Sequence, residues 1–94
     1  MKTIKKIRVS NMRSNSGNDI PNQFEITTPD GEYFQSYDSI IAFRDKKTGQ
    51  MYLDKYYWNY STTTGKYRNI WLREDRKATE ASIRSGEYKL TNLN

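Results

Sequence analysis

The 94-residue chain contains no cysteine and no histidine. Without cysteine there are no disulfides, no thiolate nucleophile and no thiolate-bound zinc. Without histidine the usual general base near neutral pH and the commonest transition-metal ligand are missing. No apolar run approaches the roughly 18 residues that a membrane-spanning helix needs, and neither end carries the apolar stretch of a signal peptide. A cytoplasmic protein with no membrane partner is expected. Much ordinary enzyme chemistry is excluded, and no pattern points to a cofactor or a bound metal.

What is present is polar and aromatic. Apolar residues make up 34% of the chain and charged ones 29%, yet two tryptophans, eight tyrosines and three phenylalanines supply large areas to bury. A single domain of this size buries about two-thirds of the surface its unfolded chain exposes, so the core must be thin. The net charge of +5 is unevenly spread. Residues 1–18 hold five cations and no acid, residues 19–54 three cations and seven acids, and residues 55–94 eight cations and four acids. If the basic ends meet in the fold, they form one positive face backed by an acidic middle, suited to a polyanion or an acidic protein surface.

Local patterning predicts an α+β fold: a single small domain with an antiparallel sheet of four to six strands, mainly within residues 3–54, and two short C-terminal helices within about 63–86. Residues 3–9 alternate as a half-buried strand with cations outward. Residues 11–22, rich in Asn, Ser and Gly, predict an exposed polar loop. Two alternating runs around Pro29-Asp30-Gly31 predict a hairpin, and residues 40–53 repeat that grammar around Asp45-Lys46-Lys47-Thr48-Gly49. Tyr67, Ile70 and Trp71 fall at helical spacing, so a helix over roughly 65–73 capped by Thr63 or Thr64 is expected. Asp75 caps a second helix that Gly86 ends, with Glu80 and Arg84 ordered for an i,i+4 pair and residues 87–90 returning to the sheet.

The phrases Asn11-Met12-Arg13-Ser14, Asn22-Gln23-Phe24, Tyr33-Phe34-Gln35-Ser36-Tyr37, Ser39-Ile40-Ile41-Ala42, Tyr57-Trp58-Asn59-Tyr60-Ser61, Thr63-Thr64-Gly65-Lys66-Tyr67-Arg68-Asn69 and Ser85-Gly86-Glu87-Tyr88 occur in one order. Together they resemble a family of small uncharacterised proteins encoded by bacteriophages and prophages. The resemblance implies a bacterial host cytoplasm and a role such as host takeover, inhibition of a defence system or nucleic-acid accessory work. It implies no activity for any residue.

The segment from Lys55 to Arg73 runs nineteen residues without an acid. Cations among flat rings suit phosphates and bases, so Lys55, Lys66, Arg68 and Arg73 are candidate phosphate contacts and Tyr57 and Tyr60 candidate stacking platforms. Trp58, Tyr67, Ile70 and Trp71 are assigned instead to the core. Arg8 on the first strand and Arg13 in the polar loop extend the candidate surface. The expected function is that of a small non-catalytic accessory protein binding nucleic acid or a nucleoprotein. Because tyrosine, tryptophan and arginine also dominate protein hot spots, the alternative is a stoichiometric inhibitor of a host protein such as a defence nuclease. A metal-dependent nuclease built on Asp45, Asp54, Glu74 and Asp75 is a remote third reading, since no spacing makes them a constellation. An exposed strand edge would allow a homodimer.

Overall fold

Pro29-Asp30-Gly31 closes the first long hairpin because Gly31 takes φ +153, where a side chain is disfavoured, while Thr28 Oγ1 accepts from the Asp30 and Gly31 N–H groups. In this computed structural model, which describes residues 6–94, that hairpin joins β2 (Asp19–Thr28) to β3 (Gly31–Ser36). β1 (Arg8–Arg13) precedes it, and β4 (Ser39–Asp45) and β5 (Met51–Asp54) follow. Helices α1 (Thr62–Leu72) and α2 (Arg76–Ser85) then carry the chain to β6 (Tyr88–Thr91). The strands lie in chain order, antiparallel throughout except β5 with β6, which are parallel because two helices intervene. The α+β expectation is thus met, with six strands and two short helices. No helix among the described residues is long and apolar enough to cross a membrane.

The expected loop over 11–22 is mostly strand. Asn11 to Arg13 finish β1 and Asp19 to Asn22 begin β2, leaving a tight turn at 14–18 in which Gly17 adopts φ +84. Turn-forming residues here serve a bulged hairpin. The register shifts between Asn11 and Arg13, Asn11 Nδ2 donates to the Ile20 carbonyl at 2.9 Å, and Met12 is buried at 4% exposure. The predicted strand over 3–9 is described only from residue 6 onward, and its first residues lie outside the described part of the chain.

One face of the sheet carries the core: Met12, Phe34, Ile41, Ala42, Met51 and Leu53 meet Trp71 and Leu72 of α1, with the Phe34 and Trp71 rings stacked 6.1 Å apart. Helix α1 starts earlier than its apolar spacing implied. Ser61, in extended backbone, accepts from the Thr64 N–H and is the N-cap, so Thr63 and Thr64 are not. The buried stripe is Thr64, Arg68, Trp71 and Leu72; Ile70, expected in the core, is 53% exposed. Thr64 is directed inward by its hydroxyl contact with Ser36, 3.0 Å. Helix α2 follows expectation at both ends, Asp75 accepting from the Ala78 N–H and Gly86 ending it at φ +84. Its i,i+4 ion pair is Arg76 with Glu80 at 3.7 Å, one turn before the expected Glu80 and Arg84.

Residues directly opposite one another in a ladder share a face. Val9, Ile26, Tyr33, Phe43, Tyr52 and Lys89 are successive partners across all six strands, on the face opposite Phe34. No described helix packs over this row.

A Cβ at Gly31 would overlap the Arg44 carbonyl and the Phe43 ring in addition to the unfavourable φ. Gly31→Ala is expected to destabilise the fold by about 3 kcal/mol or more, read by urea denaturation. An effect below about 0.5 kcal/mol would show that the hairpin closes differently.

Candidate functional site

Asp54, at the end of β5, is fully buried and organises the tyrosine-rich turn that follows. One carboxylate oxygen accepts from the Tyr56 and Tyr57 N–H groups at 3.0 and 2.9 Å, the other from the Leu93 N–H at 2.8 Å and Asn94 Nδ2 at 3.0 Å. Burial alone would raise its pKa, but these four donors outweigh that and hold it below the ordinary value of 3.8. The turn therefore leaves the sheet in one defined direction. Tyr56 and Tyr60 are exposed at 69% and 68%, while Tyr57 packs partly against the core and meets Tyr60 edge-on at 5.5 Å.

Arg68 was a candidate phosphate contact, and the structure moves it inside: it is 1% exposed. Its Nη1 donates to the Trp58 carbonyl at 2.7 Å and to Asn59 Oδ1, its Nη2 donates to Asn69 Oδ1, and the guanidinium lies 5.2 Å over the Trp58 ring. The turn's carbonyl needed a donor and the tryptophan face a cation, so the helix turns Arg68 inward. Burial, then the neighbouring Arg76 charge, lowers its pKa.

Two hollows flank this turn and share Ser61 in their walls. The first, a cleft of about 480 Å³, is lined by Tyr37, Tyr57 and Tyr60 with the hydroxyls of Ser36, Ser39, Ser61, Thr63 and Thr64, and by Asp38. The second is a shallow hollow of about 650 Å³ holding Lys66, Arg68 and Arg76 among Asn59, Asn69, Thr62 and Gly65, with no acidic residue in its wall. Tyr37 sits in left-handed backbone at φ +55, costly for an aromatic residue, and is kept there by its N–H donating to the Asn22 carbonyl at 2.7 Å and its carbonyl accepting from Gln35 Nε2.

Tyr57, Tyr60 and Lys66 thus line the two hollows that meet at Ser61, with Arg68 beneath, whereas Lys55 lines neither and lies 5.2 Å over the Tyr56 ring. Arg73 also lies apart: it caps the far end of α1, about 16 Å from the start of that helix, and lines a separate hollow with Met12 and Ile70. Arg8 pairs with Thr27 toward the opposite end of the sheet, and Arg13 lies 3.7 Å from Asp19. β1 and β6 form opposite edges of the sheet, while Met12 of the first basic stretch and Arg73 of the last line one hollow together with Glu25 and Glu32. Sequence reading missed Tyr37, Asn59, Asn69 and Arg76; Tyr37 lies on another turn, and no local signal connects it with Tyr60.

The carboxylates of the nuclease reading all have structural partners. Asp45 Oδ1 accepts from the Lys47 and Thr48 N–H groups, Asp54 holds the turn, Asp75 caps α2, and Glu74 accepts from the Thr79 and Tyr88 hydroxyls at 2.6 and 2.7 Å. Among the described residues no three of His, Cys, Asp and Glu come together to hold a metal.

A family model described as a family of unknown function, DUF8033, matches residues 7–88. The chain belongs to that family. No curated protein and no solved structure matches it. The family match spans every element from β1 to the first residue of β6, so both hollows lie within it.

Two outcomes follow from these contacts. Asp54→Ala should destabilise the protein by about 3 kcal/mol, because it leaves buried N–H donors unpaired. Asp54 has a lowered pKa in the fold, so its contribution is present above 3.8 and lost as pH falls through its folded value; the variant's urea midpoint should vary less between neutral and acid pH than the parent's. Separately, burial and then the Glu74 carboxylate raise the Tyr88 pKa to about 12. A spectrophotometric titration should show one late tyrosine that Tyr88→Phe removes. A late step persisting in that variant would assign it elsewhere.

Proposed function

We infer that the protein is a non-catalytic accessory protein that binds single-stranded nucleic acid, or a nucleoprotein exposing it, in the cytoplasm of a bacterial host. The observation that carries this reading is the adjacency of the two hollows at Ser61: tyrosine rings on one side, acid-free cationic wall on the other. A nucleotide has the same two parts. A base stacks on an aromatic face, and its phosphate seeks lysine and arginine. Tyr37 adds support, since a strained backbone at the mouth of a cleft is a feature of binding sites. The buried Arg68 supplies fixed positive charge beneath the hollow, while Lys66 and Arg76 reach the surface and supply contacts.

The phage-type context rests on the sequence resemblance and gives such a protein a place, in genome handling or in subduing host nucleases. An inhibitor of a host protein without affinity for free nucleic acid is the second reading; the exposed rings of Tyr56 and Tyr60 favour it, being of the type found at hot spots.

Fluorescence anisotropy of labelled single-stranded DNA, duplex DNA and RNA tests the reading. Binding is expected to prefer single strands, to fall linearly in log–log form with salt, and to weaken by about 1–3 kcal/mol on Tyr60→Ala. Tyr37→Gly is the sharper variant: it relieves the left-handed backbone while deleting the ring, so affinity should fall as stability holds or rises by about 1 kcal/mol. Salt-sensitive binding indifferent to both tyrosines would reduce the site to a basic surface. No binding at low salt would overturn the reading in favour of a protein partner.

A further inference from the structure

The helix-free face of the sheet has no part in the site above, and its composition is unlike the rest of the molecule. Val9, Ile26, Tyr33, Phe43 and Tyr52 run across five strands as direct cross-strand partners, and the row ends at Lys89 on β6. The Tyr33 and Phe43 rings stack at 4.4 Å and Phe43 and Tyr52 at 6.0 Å, forming a continuous aromatic strip. None of these residues packs against the core, which lies on the other side with Phe34 and Trp71. The molecule's shortest dimension is 21 Å, the thickness of one sheet plus one helix layer, so this face is an outer surface.

We propose that this face is a homodimer interface, on which the sheet of a second copy packs to make a four-layer helix–sheet–sheet–helix particle. Charge selects the occupant. The protein carries +5 overall, yet the row contains one charged side chain, at its end. Beside Tyr33 and Phe43, Lys46 and Lys47 share a hollow with Asp30 and Asp45, so a polyanion would find these cations already offset by two carboxylates. A second copy, itself positive, meets an aromatic face whose flanking charges balance, and a two-fold axis along the strands sets each Lys89 at the rim against the partner's opposite edge. Area agrees. Six strands about 4.8 Å apart and roughly 20 Å long give about 600 Å² in projection, and side-chain relief brings this to the scale of the ~800 Å² per partner of a stable pair. Aromatic and β-branched rows of this kind are the inner faces of two-sheet sandwiches.

Sedimentation velocity from micromolar to near-millimolar protein decides the matter. The parent is expected to dimerise. Phe43→Glu and, independently, Tyr52→Lys should each weaken the dimer by about a hundredfold, because each buries an unpaired charge in the apolar layer. Circular dichroism should show both variants folded, and the Tyr52 position lies nearer the edge should Phe43→Glu fail to fold. Thr27→Glu, on β2 but on the helix-side face, should leave the dimer intact. A monomer throughout the concentration range overturns the proposal and assigns the face to another partner. A dimer indifferent to both substitutions, or equally weakened by Thr27→Glu, overturns it by placing the contact elsewhere. Because the anisotropy variants Tyr37→Gly and Tyr60→Ala lie outside this row, loss of nucleic-acid binding and loss of dimerisation are separable.

Discussion

The arrangement at the end of β5 depends on two buried ions that never meet. Asp54 has four N–H donors and no cation; Arg68 has three oxygen acceptors, an indole face and no carboxylate. Each has been removed from water, which is costly, and each offsets part of the loss through neutral dipoles instead of an opposite charge, Arg68 Nε being buried without a partner. The consequence is directional. An ion pair would leave the backbone between residues 54 and 68 free to choose its path, whereas a carboxylate accepting from Tyr56 and Tyr57 and a guanidinium donating to the Trp58 carbonyl fix that path residue by residue. Asp54 also holds Leu93 and Asn94, and Asn94 bonds both backbone groups of Ile40. The tyrosine turn, the C-terminal tail and β4 are thereby tied to one carboxylate.

The two hollows follow from that constraint. With Trp58 pinned between Arg68 and the core, Tyr57 and Tyr60 are directed toward the β3–β4 turn, where Tyr37 waits in its left-handed backbone. With Arg68 turned inward, Lys66 and Arg76 are the cations left on the surface beside Asn59 and Asn69. The same side chain that leaves the surface fixes the geometry of what remains on it. This is why a buried arginine can matter to a charged surface it hardly touches: its field persists through the thin polar layer above it, while its hydrogen bonds keep the layer in place.

Most of the fold was legible because its signals were local. Pro29-Asp30-Gly31 and Gly49 announce turns, alternation announces β2 to β5, and Asp75 with Gly86 brackets α2. The loop at 11–22 was misread because Asn and Ser serve bulges as readily as loops, and the buried Met12 and half-buried Ile20 that mark the strands sit among polar neighbours. Helix α1 was mis-phased for a related reason. Its inward stripe spends two of four positions on Thr64 and Arg68, so hydrophobic spacing pointed to Ile70 instead. Of the candidate site, the tyrosine turn and Lys66 were readable from composition. Tyr37 and Arg76 were not, because they join the site only through the pairing of β3 with β4 and through the start of α2 lying beside Arg68 and Asn69.

A thin core explains why so much chemistry is displaced onto surfaces. Only eight hydrophobic side chains among the described residues are buried, and Gln23, Thr64, Arg68 and Thr79 share the interior with them. Polar groups there bring specificity at little gain in hydrophobic stabilisation. The apolar potential that the helix side does not use is spread over the other face of the sheet, where Tyr33, Phe43 and Tyr52 shield one another but bury nothing beneath them. A single sheet with one covered face leaves the other half of its side-chain surface unburied. Covering the second face with a like surface would roughly double the buried apolar layer without adding a residue, and it would leave the Ser61 site, built from turns at one end of the sheet, open to solvent. On the proposed reading the labour divides physically: an aromatic face for association, and a cationic, hydroxyl-rich end for a ligand that water also solvates well.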